Sequence, residues 1–186
     1  NFKFGLEYIK ESSKFIYIVS AIFLFFILIG YFVQAPDFIV KIILEFIEEL
    51  LNRTENMSWV ELTGFIFFNN LQSSFFGMIF GFLFGIFSVI TVVVNGYLLG
   101  FVSAQVVETE GIMALWRLLP HGVFELPAIL ISMGLGLKIG TFIFYKKKVK
   151  SLKKLLLKSL KTFVYIIIPL LIVAALIEST LIFLGV

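Results

Sequence analysis

The single histidine of the chain, His121, stands four residues before Glu125. On a helix that spacing puts both side chains on one face, close enough to share a hydrogen bond or a proton. Pro127 follows, and its missing amide donor frees the carbonyl of Val123, so one more polar group there needs a partner. Other polar side chains interrupt otherwise apolar stretches: Asn69, Asn70 and Gln72, then Asn95 and Gln105, then Glu178. Two chemistries fit a cluster of His121, Glu125, Asn95, Asn70, Asn69 and Glu178. In the first it is a buried polar clasp that fixes helix register. In the second it is a proton or ion path. A carboxylate at the centre of a bilayer costs about 2.5 kcal/mol or more, so such a group carries a functional hypothesis by default.

Other chemistry is excluded by count. There is no Cys, and Asp37 is the one aspartate. Disulfides, thiol catalysis and an aspartate dyad are impossible. A structural zinc site needs four nitrogen or sulfur ligands, which one histidine cannot supply. No G-x-S-x-G elbow is present to carry a serine nucleophile. The expectation is a protein that is not an enzyme, with no metal and no cofactor.

The elements that hold these residues follow from composition. Of 186 residues, 60% are hydrophobic and only 15% charged, and mean hydropathy is +1.08. A soluble chain this short cannot hide so much apolar surface. The fold class is therefore all-α: a polytopic transmembrane helical bundle of about five spans with amphipathic interfacial helices, forming one integral membrane domain over 1–186. The sequence opens on Asn1 rather than Met, which reads as a trimmed N-terminus. Residues 15–33 are 19 uncharged apolar positions, enough to cross ~30 Å of hydrocarbon. A signal peptide is the competing reading, but the run is long and lacks a small-residue cleavage site. From Phe65 to Val107 no charge appears over 43 positions, which fits two spans, near 66–88 and 90–107. Pro120 opens a fourth at 120–144, as proline does at a first helical position. The fifth is 163–185.

Between these lie amphipathic segments. In 38–51, Lys41, Glu45, Glu48 and Glu49 share one helical face and Ile39, Ile42, Ile43, Phe46, Ile47 and Leu50 the other. Ser58 and Glu61 have capping-box spacing, so a helix starts near Trp59, an aromatic at interface depth. Residues 146–161 hold eight lysines and no acid. Lys146, Lys147, Lys148, Lys150, Lys153 and Lys154 are read as contacts to anionic lipid headgroups, with the leucines of that stretch dipping into the leaflet, and not as a nucleic-acid patch. Eleven of the fifteen Lys and Arg fall before the first span or between the fourth and fifth. The positive-inside rule then places the N-terminus in the cytoplasm and the C-terminus outside, as an odd number of spans requires. Gly77, Gly81 and Gly85 form a GxxxGxxxG ladder, and Gly136 and Gly140 repeat the spacing. Such glycines let helices approach closely, either within one subunit or across a homo-oligomer, with a dimer favoured.

Four blocks in order carry a family resemblance: FFNN at 67–70, NGYLLG at 95–100, PHGVFELPA at 120–128 and GLGLKIG at 134–140. With the glycine-rich span after the first, they resemble the stage II sporulation protein M family over about 15 to 185. The Pro-His-Gly-x-Phe-Glu-Leu block is the most specific part. The matching positions are Asn70, Asn95, Gly96, Pro120, His121, Gly122, Phe124 and Glu125. The resemblance implies a multi-span protein of the cytoplasmic membrane that acts as a scaffold or assembly factor. The family's namesake in spore formers anchors partner proteins that remodel peptidoglycan. Relatives occur in organisms that make no spores. The alternative function is a channel or transporter subunit with a polar His/Glu/Asn path.

Overall fold

A computed structural model describes residues 1–33 and 35–184, the side chains of 116–121 excepted. All of its regular elements are helical among the described residues. Helix α1 (Phe2–Glu11) and helix α2 (Ser13–Phe32) are separated by Ser12 alone, whose hydroxyl donates back to the Tyr8 carbonyl at 2.6 Å. Helix α3 (Asp37–Thr54) is the expected amphipathic segment, with Asp37 in its first turn and Arg53 in its last, each complementing the helix dipole. Helix α4 (Trp59–Ile79) starts at the Ser58–Glu61 capping box, which is formed in both directions. Helices α5 (Ile86–Glu110), α6 (Leu119–Gly140), α7 (Lys148–Thr162) and α8 (Ile168–Leu184) complete the chain.

Among the described residues, four helical stretches are long and apolar enough to cross a membrane: Ser13–Phe32, Ile86–Glu110, Gly122–Phe144 and Lys148–Leu184. Helix α4 falls outside that set because Asn69, Asn70, Gln72, Ser73 and Ser74 dilute it. The charge-free run does not divide at 88–90. It divides at a 3-10 turn over Phe80–Phe82, followed by Phe84 (φ 58°) and Gly85 (φ 76°) in the left-handed region. Two glycines of the ladder thus sit in the turn and not inside a span. Gly85 is there because left-handed backbone suits a residue without Cβ.

The lysine helix is also not a separate interfacial element. Lys148–Leu184 is one continuous helix, interrupted only by a π turn at Phe163–Ile167. No glycine or proline breaks the chain from Lys148 to Ile168. The ring of Pro169 crowds the carbonyl of Tyr165, and the wider π turn absorbs that conflict.

Helix α6 is the central element, touching α2, α4, α5 and α8. Its Ala128, Met133, Leu135 and Ile139 are fully buried. Helices α2 and α5 lie closest to each other, because a Cβ at Gly100 or Gly30 would strike the backbone of Ile27 or Tyr97. Helix α3 stays at the side of the bundle, with Ile43 its one buried residue.

Candidate functional site

Capping at Ser58 sets the phase of α4, and that phase splits the adjacent asparagines. Asn70 turns inward, and its side-chain amide comes close enough to the Glu125 carboxylate of α6 to interact with it. Asn69 and Gln72 are exposed on the opposite side. Glu178 of α8 comes near enough to Glu125 that the two carboxylates feel each other's charge, and its Oε2 is buried without a hydrogen-bond partner. Asn95 of α5 faces the same space, but its amide N–H donates to the Thr91 carbonyl of its own helix at 2.8 Å. The structure thus brings Asn70, Glu125, Asn95 and Glu178 together and leaves out Asn69, Gln72 and the exposed Gln105. The side chains of Pro120 and His121 lie outside the described residues, and so does the expected His121–Glu125 pairing.

Glu125, Asn95 and Glu178 line a cavity of about 670 Å³, and Asn70 stands behind Glu125 outside its wall. Ser103 adds a hydroxyl to its wall, and Phe46, Ile47 and Leu50 of α3 close one side. The cavity is blind. One turn further along α6 from Glu125 stands Ile129, then Met133, both buried with Val19, Phe23 and Val92 in one apolar cluster. Beyond it a larger cluster fills the bundle with Met78, Leu135, Ile139, Phe163 and Ile167. The buried hydroxyls there serve as clasps between segments: Ser132 donates to the Ser74 carbonyl at 2.6 Å and Ser88 to the Gly77 carbonyl at 2.8 Å. Water does not run continuously from the cavity through such packing. Among the described residues no three His, Asp or Glu side chains converge as metal ligands would.

A second polar centre lies thirteen residues further along α6, about 20 Å away at the opposite end. Lys138 is almost wholly buried there, at 6% side-chain exposure. Its ammonium donates to Ser12 Oγ at 3.0 Å and Glu11 Oε1 at 3.2 Å, and sits 4.1 Å above the Tyr8 ring. Lys158 of α7 holds the other Glu11 oxygen at 2.9 Å. Partial burial pushes the Glu11 carboxyl up, but the hydrogen bonds and charges of Lys158 and Lys138 outweigh it and hold the group below its ordinary range. Burial pushes the Tyr8 phenol up to about 12. Nothing in the local sequence around Lys138 points to these partners. They lie on α1 and at Ser12, where Gly5, Tyr8 and Ser12 are buried while Phe2 and Leu6 are exposed.

Packing also reassigns the lysine helix. Leu155 is buried and Leu152, Leu156 and Leu160 pack on the core beside Tyr8, so these leucines face the protein and not lipid. Lys146, Lys147, Lys148, Lys150, Lys153 and Lys154 remain exposed. The glycine ladder closes within the subunit. A Cβ at Gly81 would strike the Gly136 backbone, one at Gly136 would meet Ser88 and Gly77, one at Gly140 would meet Gly85 and Phe84, and Gly77 is covered by Met133. Gly96 serves the α2–α5 contact in the same way, with the Phe23 carbonyl 2.7 Å from a built Cβ. Gly122 lines the cavity, and Phe124 lies half-buried beside Glu125.

A family model described as Stage II sporulation protein M matches residues 19–181. No curated protein and no solved structure gives a significant match.

Proposed function

The chain belongs to the stage II sporulation protein M family, and from that premise we propose that it is a non-enzymatic scaffold or assembly factor of the cytoplasmic membrane. In this reading α4 is a fifth crossing. Its 21 residues reach about 31 Å, enough for the hydrocarbon core, and the tight turn at 80–85 returns the chain along α5. The N-terminus and the lysine helix then lie in the cytoplasm, and the C-terminus lies outside. The observation that carries the reading is the blind cavity. Glu125, Glu178 and Asn95 face a pocket that is apolar over most of its wall and floored by buried Ile129 and Met133. Such a pocket suits a docked segment of a partner better than a conducted ion, because the described residues packed beneath it, Ile129 and Met133 with Val19, Phe23 and Val92, are apolar.

Two measurements test this. A photo-crosslinking side chain at Leu50 should capture a defined membrane partner in native membranes, and Ser103→Trp, which fills the pocket, should abolish that capture. Proton or cation flux into liposomes holding the purified chain should equal that of empty liposomes and be unchanged by Glu125→Gln. Flux that depends on Glu125 would replace the scaffold reading with the channel reading. Because the chain has no cysteine, single cysteines report topology without background. Asn56→Cys and Thr109→Cys should both react with an impermeant maleimide from outside, and Lys150→Cys only after permeabilisation.

A further inference from the structure

We propose that two copies of the chain pair in the membrane through the outward face of α4, with Asn69 and Gln72 of each copy hydrogen-bonding the same residues of the other. The inference rests on α4 crossing the bilayer. Asn69 and Gln72 are then the eleventh and fourteenth of its 21 residues, hence near mid-depth, and both are exposed. Neither side chain has a hydrogen-bond partner among the described residues. Lipid tails offer none, and polar side chains at this depth join helices.

The rest of the face agrees. Gly64, Phe68, Gln72 and Phe76 follow one another at intervals of four and form a ridge along α4. Phe68 and Phe76 are exposed, and nothing lies within 4 Å of a Cβ built at Gly64, so the ridge carries an open notch. The ladder glycines cannot serve a partner, since Gly77, Gly81 and Gly136 are filled from within.

Complementarity of partial charge selects a second copy as the occupant. Two copies inserted with the same topology are related by an axis along the membrane normal, so a residue near that axis meets its own equivalent. It must therefore complement itself. A carboxamide does, since its N–H₂ carries positive and its oxygen negative partial charge. A lysine or glutamate would repel its own image. The two polar residues at mid-depth on this face are both amides. Glu61, nearer the end, is already held by the Ser58 amide and hydroxyl at 2.9 and 2.6 Å. A parallel pair would leave Asn70, one position round the helix, on Glu125, so docking and dimerisation would use opposite sides of α4.

The test uses the full chain in vesicles with single cysteines. Gln72→Cys and Phe68→Cys should form disulfide-linked dimers on mild oxidation far more readily than Ile90→Cys, an exposed position on α5. The Asn69→Leu/Gln72→Leu double variant, measured by energy transfer between labelled copies, should weaken association by about 30-fold, as loss of two interhelical hydrogen bonds implies. It should still run as a monodisperse folded species, because leucine suits a lipid-facing position. Cross-linking no stronger than at Ile90→Cys, an unchanged dissociation constant in the double variant, or cross-linking to another protein alone would each overturn the pairing. Labelling of Asn56→Cys and Thr109→Cys separates the two ideas. If both react from outside and no dimer forms, the pairing falls and the five-span reading stands. If they react from opposite sides, α4 does not cross and the pairing falls with it.

Discussion

Removing the acid of the buried Lys138 centre should do more damage than removing the base. Lys138 is 6% exposed while Glu11 is 54% exposed and keeps Lys158 at 2.9 Å. In Lys138→Met the ammonium disappears together with its desolvation penalty, a thioether occupies the space over Tyr8, and Glu11 retains its second partner. The net loss is about 1 kcal/mol. In Glu11→Gln the ammonium stays buried against Ser12 Oγ, a backbone carbonyl and the Tyr8 ring, with no counter-charge. Breaking a buried pair this way costs about 3 kcal/mol. At about 3 °C per kcal/mol for a chain of this size, Tm should fall by about 3 °C and about 9 °C respectively. The double variant should recover to near the Lys138→Met value, because the stranded charge has gone. The assay is thermal unfolding in detergent, followed by the fraction that stays monodisperse. Acidification should act like Glu11→Gln. The folded Glu11 carboxyl lies below its unfolded value, so its contribution is complete above the unfolded pKa and is lost as pH falls through the folded one. Equal losses in the two single variants, or a double variant that sums them, would refute the argument that burial of the ammonium sets the energetics.

Three further outcomes follow from the packing. Gly136→Val should lower the folded yield, at a cost of about 3 kcal/mol or more, since even a Cβ there meets the Gly77 carbonyl and Met78 Cα at 2.9 Å; detergent-stable material by size exclusion reports it. Phe84→Gly should raise Tm, by up to about 1 kcal/mol of stability, because an aromatic residue that is 60% exposed gives up a left-handed φ of 58° and loses little packing; a thermal melt that shows destabilisation would count against it. Glu125→Gln should leave stability unchanged or raise it by up to about 1 kcal/mol, because the amide still pairs with Asn70 while the charge beside Glu178 is gone; a large Tm drop would refute the assigned geometry.

The helices themselves were legible because hydropathy and local chemistry agree: the 19-residue apolar run gives α2, the Ser58–Glu61 spacing gives the start of α4, and the two-faced pattern gives α3. The turn between α4 and α5 was not. A glycine ladder reads the same whether it lines a span or folds a corner, and only the contact of Gly81 with Gly136 decides. The polar residues were found by type, but which asparagine faces inward depends on helix phase, so Asn69 and Asn70 look equivalent until α4 is placed against α6. The partner of Lys138 lies 127 positions away, and no local pattern connects Glu11 with it.

The continuous helix from Lys148 to Leu184 runs 37 residues, about 55 Å, nearly twice the hydrocarbon thickness. It carries exposed lysines at one end and Glu178 in the cavity near the other. With no loop between them, the two ends belong to one helix whose regular hydrogen bonding changes at the π turn. A tilt of about 5° around that turn swings ends about 25 Å distant by about 2 Å each, in opposite senses. The helix is therefore a single beam with the π turn near its middle, and the exposed lysines and the pocket carboxylate are its two arms.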